Sequence, residues 1–274
     1  DFGSGMVIVL SIILMTAMLM SVFSAVSSAE DSYVMTVVAD GITTYYDDFG
    51  EGWVFAVETS EETPTVVTLY RDWYAGDTNS NGVIDSGETP GYFKYYNKDG
   101  DEVGTKKGAL SVGDTDWAQT RFIDLTLDLN GHTISRNLES PVEHGSVFIA
   151  DCHWLYIKDS SKEKTGKITG GNTTGYGGAF LIRPYSAVSI EGCEISGNYA
   201  DEGGGIYVLG GPVLSLDGVK ITGNKAGTVG GGVCNTGSDS FDSAYDGDFF
   251  VGGDTVICGN EKSDGTADNV HFRF

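Results

Sequence analysis

The run Asp77-Thr78-Asn79-Ser80-Asn81-Gly82-Val83-Ile84-Asp85-Ser86-Gly87-Glu88 has the residue types and spacing of a twelve-residue calcium loop. Side-chain oxygens fall at positions 1, 3, 5 and 9 (Asp77, Asn79, Asn81 and Asp85), glycine at 6, the Val83 carbonyl at 7, and Glu88 at 12. Calcium takes several hard oxygen ligands around one point, and this spacing lets a single short loop deliver them. The flanks are not helical: β-branched Val66 to Tyr70 precedes the loop and tyrosine-rich Tyr92 to Tyr96 follows it. An acidic turn without an ion is the alternative.

Other residues could take part in chemistry by type. A hydrolase needs clustered carboxylates, and Asp151, Glu191 and Asp217 could line up on one face, although outward-facing solvated acids explain them as well. A lyase base would be Arg183 or Lys220. His132, in Asn-Gly-His, reads as part of a turn, and His144 and His153 have no acidic or cysteine partners at metal spacing. Tyr176, Tyr185, Tyr199 and Tyr207 could stack on sugars or a protein partner, or pack on neighbouring corners.

The elements that must position these residues are repeats. Gly-Asn recurs at Gly171-Asn172, Gly197-Asn198, Gly223-Asn224 and Gly259-Asn260. Shifting Ala187 to Asn198 onto Val213 to Asn224 pairs Ile190 with Leu216, Glu191 with Asp217, Ile195 with Ile221 and Ser196 with Thr222, without a gap. A glycine cluster keeps nearly the same period at Gly177-Gly178, Gly203 to Gly205 and Gly230 to Gly232. Such self-similarity predicts a stacked array in which each repeat buries its apolar side only against its neighbours. Three short strands and three turns fit one repeat, and stacking would pair them into parallel sheets. The asparagines are read as an amide ladder, each bonding to its counterpart one repeat along. The extra residues before Gly259 form a loop over Gly237 to Asp248.

Before the repeats, Tyr33 to Val38 and Thr65 to Tyr70 read as strands, and Phe49 to Thr59 as an amphipathic helix capped by Asp47 or Asp48. That helix would cover the first repeat. Trp73 to Trp117 is polar and aperiodic, which marks a long insertion. Phe122 to Ile134 alternates apolar and polar residues around a turn at Asn130-Gly131. The expected organisation is therefore residues 1–29 as a leader, 30–121 as a cap with an insertion over 72–118, and 122–274 as the repeats.

Composition narrows the function classes. The 40 glycines have no three-residue period, which suits a turn-dense β protein rather than collagen. A formal net charge of −23 argues against nucleic acid and is compatible with secretion and divalent cations. Met6 to Ala29 is apolar and ends in Ser27-Ser28-Ala29, the pattern of a signal peptide, with a retained membrane anchor as the rival reading. The membrane is otherwise not expected as a partner. Cys152, Cys193, Cys234 and Cys258 are read as free and buried, a bridge being the alternative in an exported protein.

Leu127-Asp128-Leu129-Asn130-Gly131-His132-Thr133-Ile134, Gly203 to Val208, Lys220 to Ala226 and Gly230 to Val233 resemble the repeats of pectate-lyase-like bacterial surface proteins. The resemblance implies an all-β fold, a right-handed parallel β-helix with an N-terminal helical cap and a loop insertion. It also implies an extracellular or cell-surface, adhesin-like protein that binds carbohydrate or a host or cell-surface protein and has no evident catalytic site. A polysaccharide lyase or glycoside hydrolase of the same fold, or a structural subunit of a filament or surface layer, are the alternatives it leaves open.

Overall fold

Strand and turn alternate in each repeat for reasons visible in the chain. In Ala187–Glu191, Val188 and Ile190 are buried while the residues between them are half-buried, the period-two pattern of a strand with one face on a core. Gly197, Gly223 and Gly259 follow the next short strands with φ of 67°, 63° and 65°, a left-handed turn that glycine enters at no steric cost. The computed structural model describes residues 33–79, 81, 83–96, 101–106, 108–113, 122–151, 154–237 and 248–273. The expected leader, Trp117, and most of the Gly237 to Asp248 loop lie outside the described residues.

The described chain is mostly β, and three long sheets with parallel strands form its body, joined in the later repeats by a fourth, short parallel sheet (Tyr199–Glu202, Lys225–Val229, Glu261–Lys262) where three strands per repeat were expected. The first contains Thr65–Leu69, Asp124–Asp128, Trp154–Lys158, Ala187–Glu191, Val213–Asp217 and Phe249–Gly252 in that spatial order. The second contains Trp73–Tyr74, Thr133–Ser135, Lys167–Thr169, Glu194–Ser196, Lys220–Thr222 and Val256–Cys258. The third runs Leu110–Gly113, Phe148–Asp151, Phe180–Ile182, Ile206–Val208, Val233–Asn235 and Val270–Phe272. Each repeat thus contributes one strand to every long sheet, and backbone bonds run from repeat to repeat. The register is the one the sequence alignment predicts: Ile190 opposite Leu216, Glu191 opposite Asp217, Ile195 opposite Ile221 and Ser196 opposite Thr222.

The inward residues of the three sheets meet in one core. Leu125, Leu127, Leu155, Ile157, Val188 and Ile190 come from the first sheet, Ile134, Ile168, Ile195 and Ile221 from the second, and Phe148, Phe180, Ile206 and Val233 from the third. Phe148 and Phe180, paired in register, stack at 5.1 Å.

A helix, α1 (Phe49–Thr59), covers the start of this core. Asp48 caps it, accepting from Glu51 N at 3.1 Å. Its buried face carries Phe49, Trp53 and Ala56, with Phe49 stacked on Trp73 at 4.3 Å and Trp53 tilted against Phe148 at 5.7 Å. Gly52 sits where a Cβ would come within 2.9 Å of Met35 Sδ and of the Tyr46 ring, so a side chain there would lift the helix off the strands below. Those strands, Met35–Ala39 and Ile42–Tyr46, form an antiparallel hairpin at the edge of the first sheet. Asp40 and Gly41 turn it with φ of 49° and 73°, the two-residue connection for which an Asp-Gly pair is suited.

Three expectations need correction. The parallel sheets begin at Thr65, not at Phe122: Thr65–Leu69 pairs with Asp124–Asp128, and Phe122 lies outside any strand with 72% of its surface exposed. Trp73–Tyr74 and Leu110–Gly113 also belong to the sheets, so the departure from the body is narrower than 72–118. These runs are too short, and too deeply set in polar sequence, for periodicity to mark them. Within that departure the hairpin Phe93–Tyr96/Glu102–Lys106 is tied to the body by buried Arg136, whose guanidinium donates to Gly108 O and to Ser146 O at 3.1 Å and lies over the Phe93 ring. Asn172 is not a ladder member. Asn198 Nδ2 donates to Asn224 Oδ1 at 2.9 Å, Asn224 Nδ2 to Asn260 Oδ1 at 3.0 Å and Asn260 Nδ2 to Asn269 Oδ1 at 3.2 Å. At the other end, however, Asn198 Oδ1 accepts from Gly171 N. Lys167 pairs with Glu194, a shift one residue longer than the next, which sets Gly171 at the ladder position and Asn172 one place beyond it.

Candidate functional site: a cleft on the third sheet

The carboxylates singled out by type do not come together. Glu191 and Asp217 are neighbours on the first sheet, whereas Asp151 is on the third. Glu191 accepts from the Tyr156 hydroxyl, and Tyr156 is pushed up to about 12, first by burial and then by that bond. Lys220 sits on the second sheet and is bound to Glu194 at 3.0 Å, with Lys167 on the same carboxylate at 3.5 Å. His132 lies in the turn after Asn130-Gly131, 3.4 Å from Asp72 Oδ1 through Nδ1. Asp72 also takes the Thr133 N–H at 2.8 Å, and the His132 bond leads the causes that hold its carboxyl below the ordinary range. That pair closes a turn onto the strand entering the second sheet. His153 and Cys152 lie outside the described residues. Cys193 and Cys234 are free and buried as expected, but Cys258 is exposed because it sits on the last strand of its sheet.

In the Asp77 to Glu88 loop, Ser80 and Gly82 lie outside the described residues. Asp77 Oδ1 and Asn79 Oδ1 both accept from Asn81 N, at 3.2 and 3.0 Å, so two of the expected oxygens converge. Asp85 Oδ2 accepts from Asn79 Nδ2 and Asn81 Nδ2, at 3.1 and 2.7 Å. Glu88 divides its oxygens between Thr78 N at 2.7 Å and Asp85 N at 2.8 Å, and the Asp85 bond leads the causes that lower its pKa. Val83 N donates to Asn81 Oδ1 at 2.9 Å. Among the described residues no three His, Cys, Asp or Glu side chains are drawn together tightly enough to hold a metal ion. The donor set faces inward in part, with Asn79 and Asn81 turning their amide nitrogens toward Asp85.

What the fold does assemble is a cleft of about 400 Å³ over the outer face of the third sheet. Phe148, Ala150, Phe180 and Ile182 point into the core, so the residues between them, Ile149 and Leu181, paired in register, form an outward apolar floor. One wall comes from the turns between second-sheet and third-sheet strands. Val142 N donates to Asn172 O and Thr174 N to Val142 O, both at 3.0 Å, and Ser146 Oγ donates to Tyr176 O at 3.2 Å. These bonds lock the Glu143 to Ser146 turn, where His144 takes a φ of 56°, against Thr173 to Tyr176 one repeat along. Arg183 lines the cleft as well and donates through Nη1 to Asp151 Oδ2 at 3.3 Å.

Tyr176 is the aromatic of the cleft. Its ring is 46% exposed and stacks at 4.5 Å and 27° on Tyr207, which is 3% exposed. Burial, followed by Glu202, drives the Tyr207 hydroxyl pKa upward, so it stays protonated. Of the tyrosines named from sequence, Tyr176 and Tyr207 are therefore brought together. The cleft itself was not foreseen, because its wall is made by turns of unequal length that do not repeat in the sequence. No family model, curated protein or solved structure matches the chain.

Proposed function

We propose that the chain is a right-handed parallel β-helix of the pectate-lyase-like surface class, displayed outside the cell, and that it binds carbohydrate without cleaving it. The strand pairing supports the fold reading: the same three sheets are visited in order by successive repeats, and a solenoid buries apolar side chains in this way. The observation that carries binding over turnover is Asp151. This carboxylate does not line the cleft and is engaged by Arg183, which does, while Glu191 and Asp217 are on another sheet. An inverting hydrolase needs two carboxyls flanking the bond at roughly 6.5–9.5 Å, and the acid that lines the cleft, Glu143, is 87% exposed on the rim. Arg183 favours a lyase as the second reading, since it is a basic residue lining the cleft. With a net charge of −23, nucleic acid is disfavoured as a partner.

In the same reading the Asp77 to Glu88 loop takes up calcium through Asp77, Asn79, Asn81, the Val83 carbonyl, Asp85 and Glu88. The ion would require the two asparagine amides to turn their oxygens inward, so affinity would be weak, in the ~10⁻⁴ to 10⁻³ M range of extracellular modules. Calorimetric titration with calcium tests it, with heat expected for the native chain and none for Asp77→Ala/Glu88→Gln. Retention of soluble and insoluble polysaccharides tests the function. Retention that weakens in Tyr176→Ala supports the binding reading, and retention of none of them contradicts it.

A further inference from the structure

We propose that the cleft over Ile149 and Leu181 selects a neutral pyranose unit, stacked on Tyr176 and held at a hydroxyl by Arg183, whose charge Asp151 balances. This inference rests on the binding reading above and adds the chemical class of the ligand. Charge points to it first. Arg183 is matched by Asp151 at 3.3 Å, and the other charged group of the cleft is the rim residue Glu143, with His144 Nε2 3.7 Å from its carboxylate. No cationic excess is left to receive a carboxylate or phosphate, and a uronate would have to displace Asp151 from its partner.

Hydrogen-bonding chemistry points the same way. A guanidinium only donates and has N–H groups to spare beside the one given to Asp151, whereas a hydroxyl both donates and accepts. A sugar hydroxyl complements that arrangement. Thr174 adds an exposed hydroxyl on the opposite wall, while Thr173, 2% exposed, already accepts from Gly175 N and Ser146 is committed to Tyr176 O. Tyr176 supplies the apolar contact, since the C–H face of a pyranose packs on an aromatic ring. Because the ring rests on buried Tyr207, it is held in place before the ligand arrives, which lowers the entropic cost of binding. The volume of about 400 Å³ lies within the ~300–1,000 Å³ of small-ligand sites.

The test is an NMR titration of the full chain with the methyl glycosides of glucose, galactose and mannose, set beside glucuronate and galacturonate. At least one neutral glycoside should bind saturably near ~1 mM, with shifts centred on Ile149, Leu181, Thr173 to Tyr176 and Arg183. Tyr176→Ala should weaken that binding by about tenfold, while Tyr176→Phe, which keeps the stack on Tyr207, should retain it. If Tyr176→Ala unfolds, the location of the shifts in the native chain decides instead. Binding of the uronates alone overturns the neutral class but leaves the binding reading intact. No saturable shift from any of the five sugars, or shifts confined to another face, overturns the proposal.

Discussion

The first repeat and the last repeat of the described chain use the same kinds of apolar residue with opposite results. Under α1, Val67 and Leu69 are completely buried and Trp73 is 6% exposed. In the last described repeat, Val251, which pairs with buried Leu216, is 53% exposed. The contrast is sharpest along single ladders. Leu216, Ile221 and Val233 have no exposed surface, whereas their partners one repeat on, Val251, Ile257 and Val270, are exposed or half-buried. Sequence pattern sets which way a side chain points; a neighbour on both sides decides whether pointing inward buries it. With burial of an aliphatic side chain contributing ~1.5–3 kcal/mol, the two ends should differ widely in their sensitivity to mutation.

Trp53→Ala should have the largest effect, because it removes the indole that stacks on Phe49 within α1 and packs the helix against Phe148. A loss of ~3–5 kcal/mol is expected in denaturant unfolding. A loss below 1 kcal/mol would mean that the helix does not close the core. The second ladder gives a paired comparison: Ile168→Ala should cost ~2–5 kcal/mol, and Ile257→Ala clearly less, because Ile257 is only half-buried in the described chain. Equal losses would break the contrast between interior and end.

These pairs also show what was legible in the chain. The shift that aligns Ala187 with Val213 set the register of two sheets, and Asp48 with the following apolar pattern set α1 and its cap. The first repeat was not legible, since Thr65–Leu69, Trp73–Tyr74 and Leu110–Gly113 are separated by polar sequence of unlike length. The one-residue slip at Gly171 was hidden by a second asparagine at the place the pattern expected one. The cleft depended on spatial neighbours far apart in sequence: Asp151 meets Arg183 because their strands pair, not because any motif joins them.

A smaller effect concerns acid. Asp159 is fully buried between repeats, and although burial pushes its carboxyl up, bonds from Gly166 N at 2.6 Å, Ser161 N at 2.9 Å and Gly131 N at 2.8 Å outweigh it and hold the pKa below the ordinary range. A group depressed in the folded state contributes stability that is present above its unfolded pKa and lost as pH falls through the folded one. The melting temperature should therefore drop below about pH 4, the unfolded aspartate value. Asp159→Asn should be less stable at neutral pH and show a shallower drop; an unchanged acid profile would place the acid sensitivity elsewhere.

The smallest effect should be chemical. In a Cys152→Ser background, Cys258 on the exposed last repeat should react with a thiol reagent at pH 8, while Cys193, pushed up to about 12 chiefly by burial, and Cys234, pushed up to about 11, should react only on unfolding. Rapid labelling of Cys193 in the native state would mean that the interior repeats open as easily as the end.

Product analysis on a bound polysaccharide tests the central claim most directly. With a polymer that the native chain retains and that Tyr176→Ala retains poorly, prolonged incubation with calcium should release neither new reducing ends nor unsaturated sugars. Release of either product that disappears in Asp151→Asn or Arg183→Gln would show that the cleft cleaves its ligand, and would contradict the account.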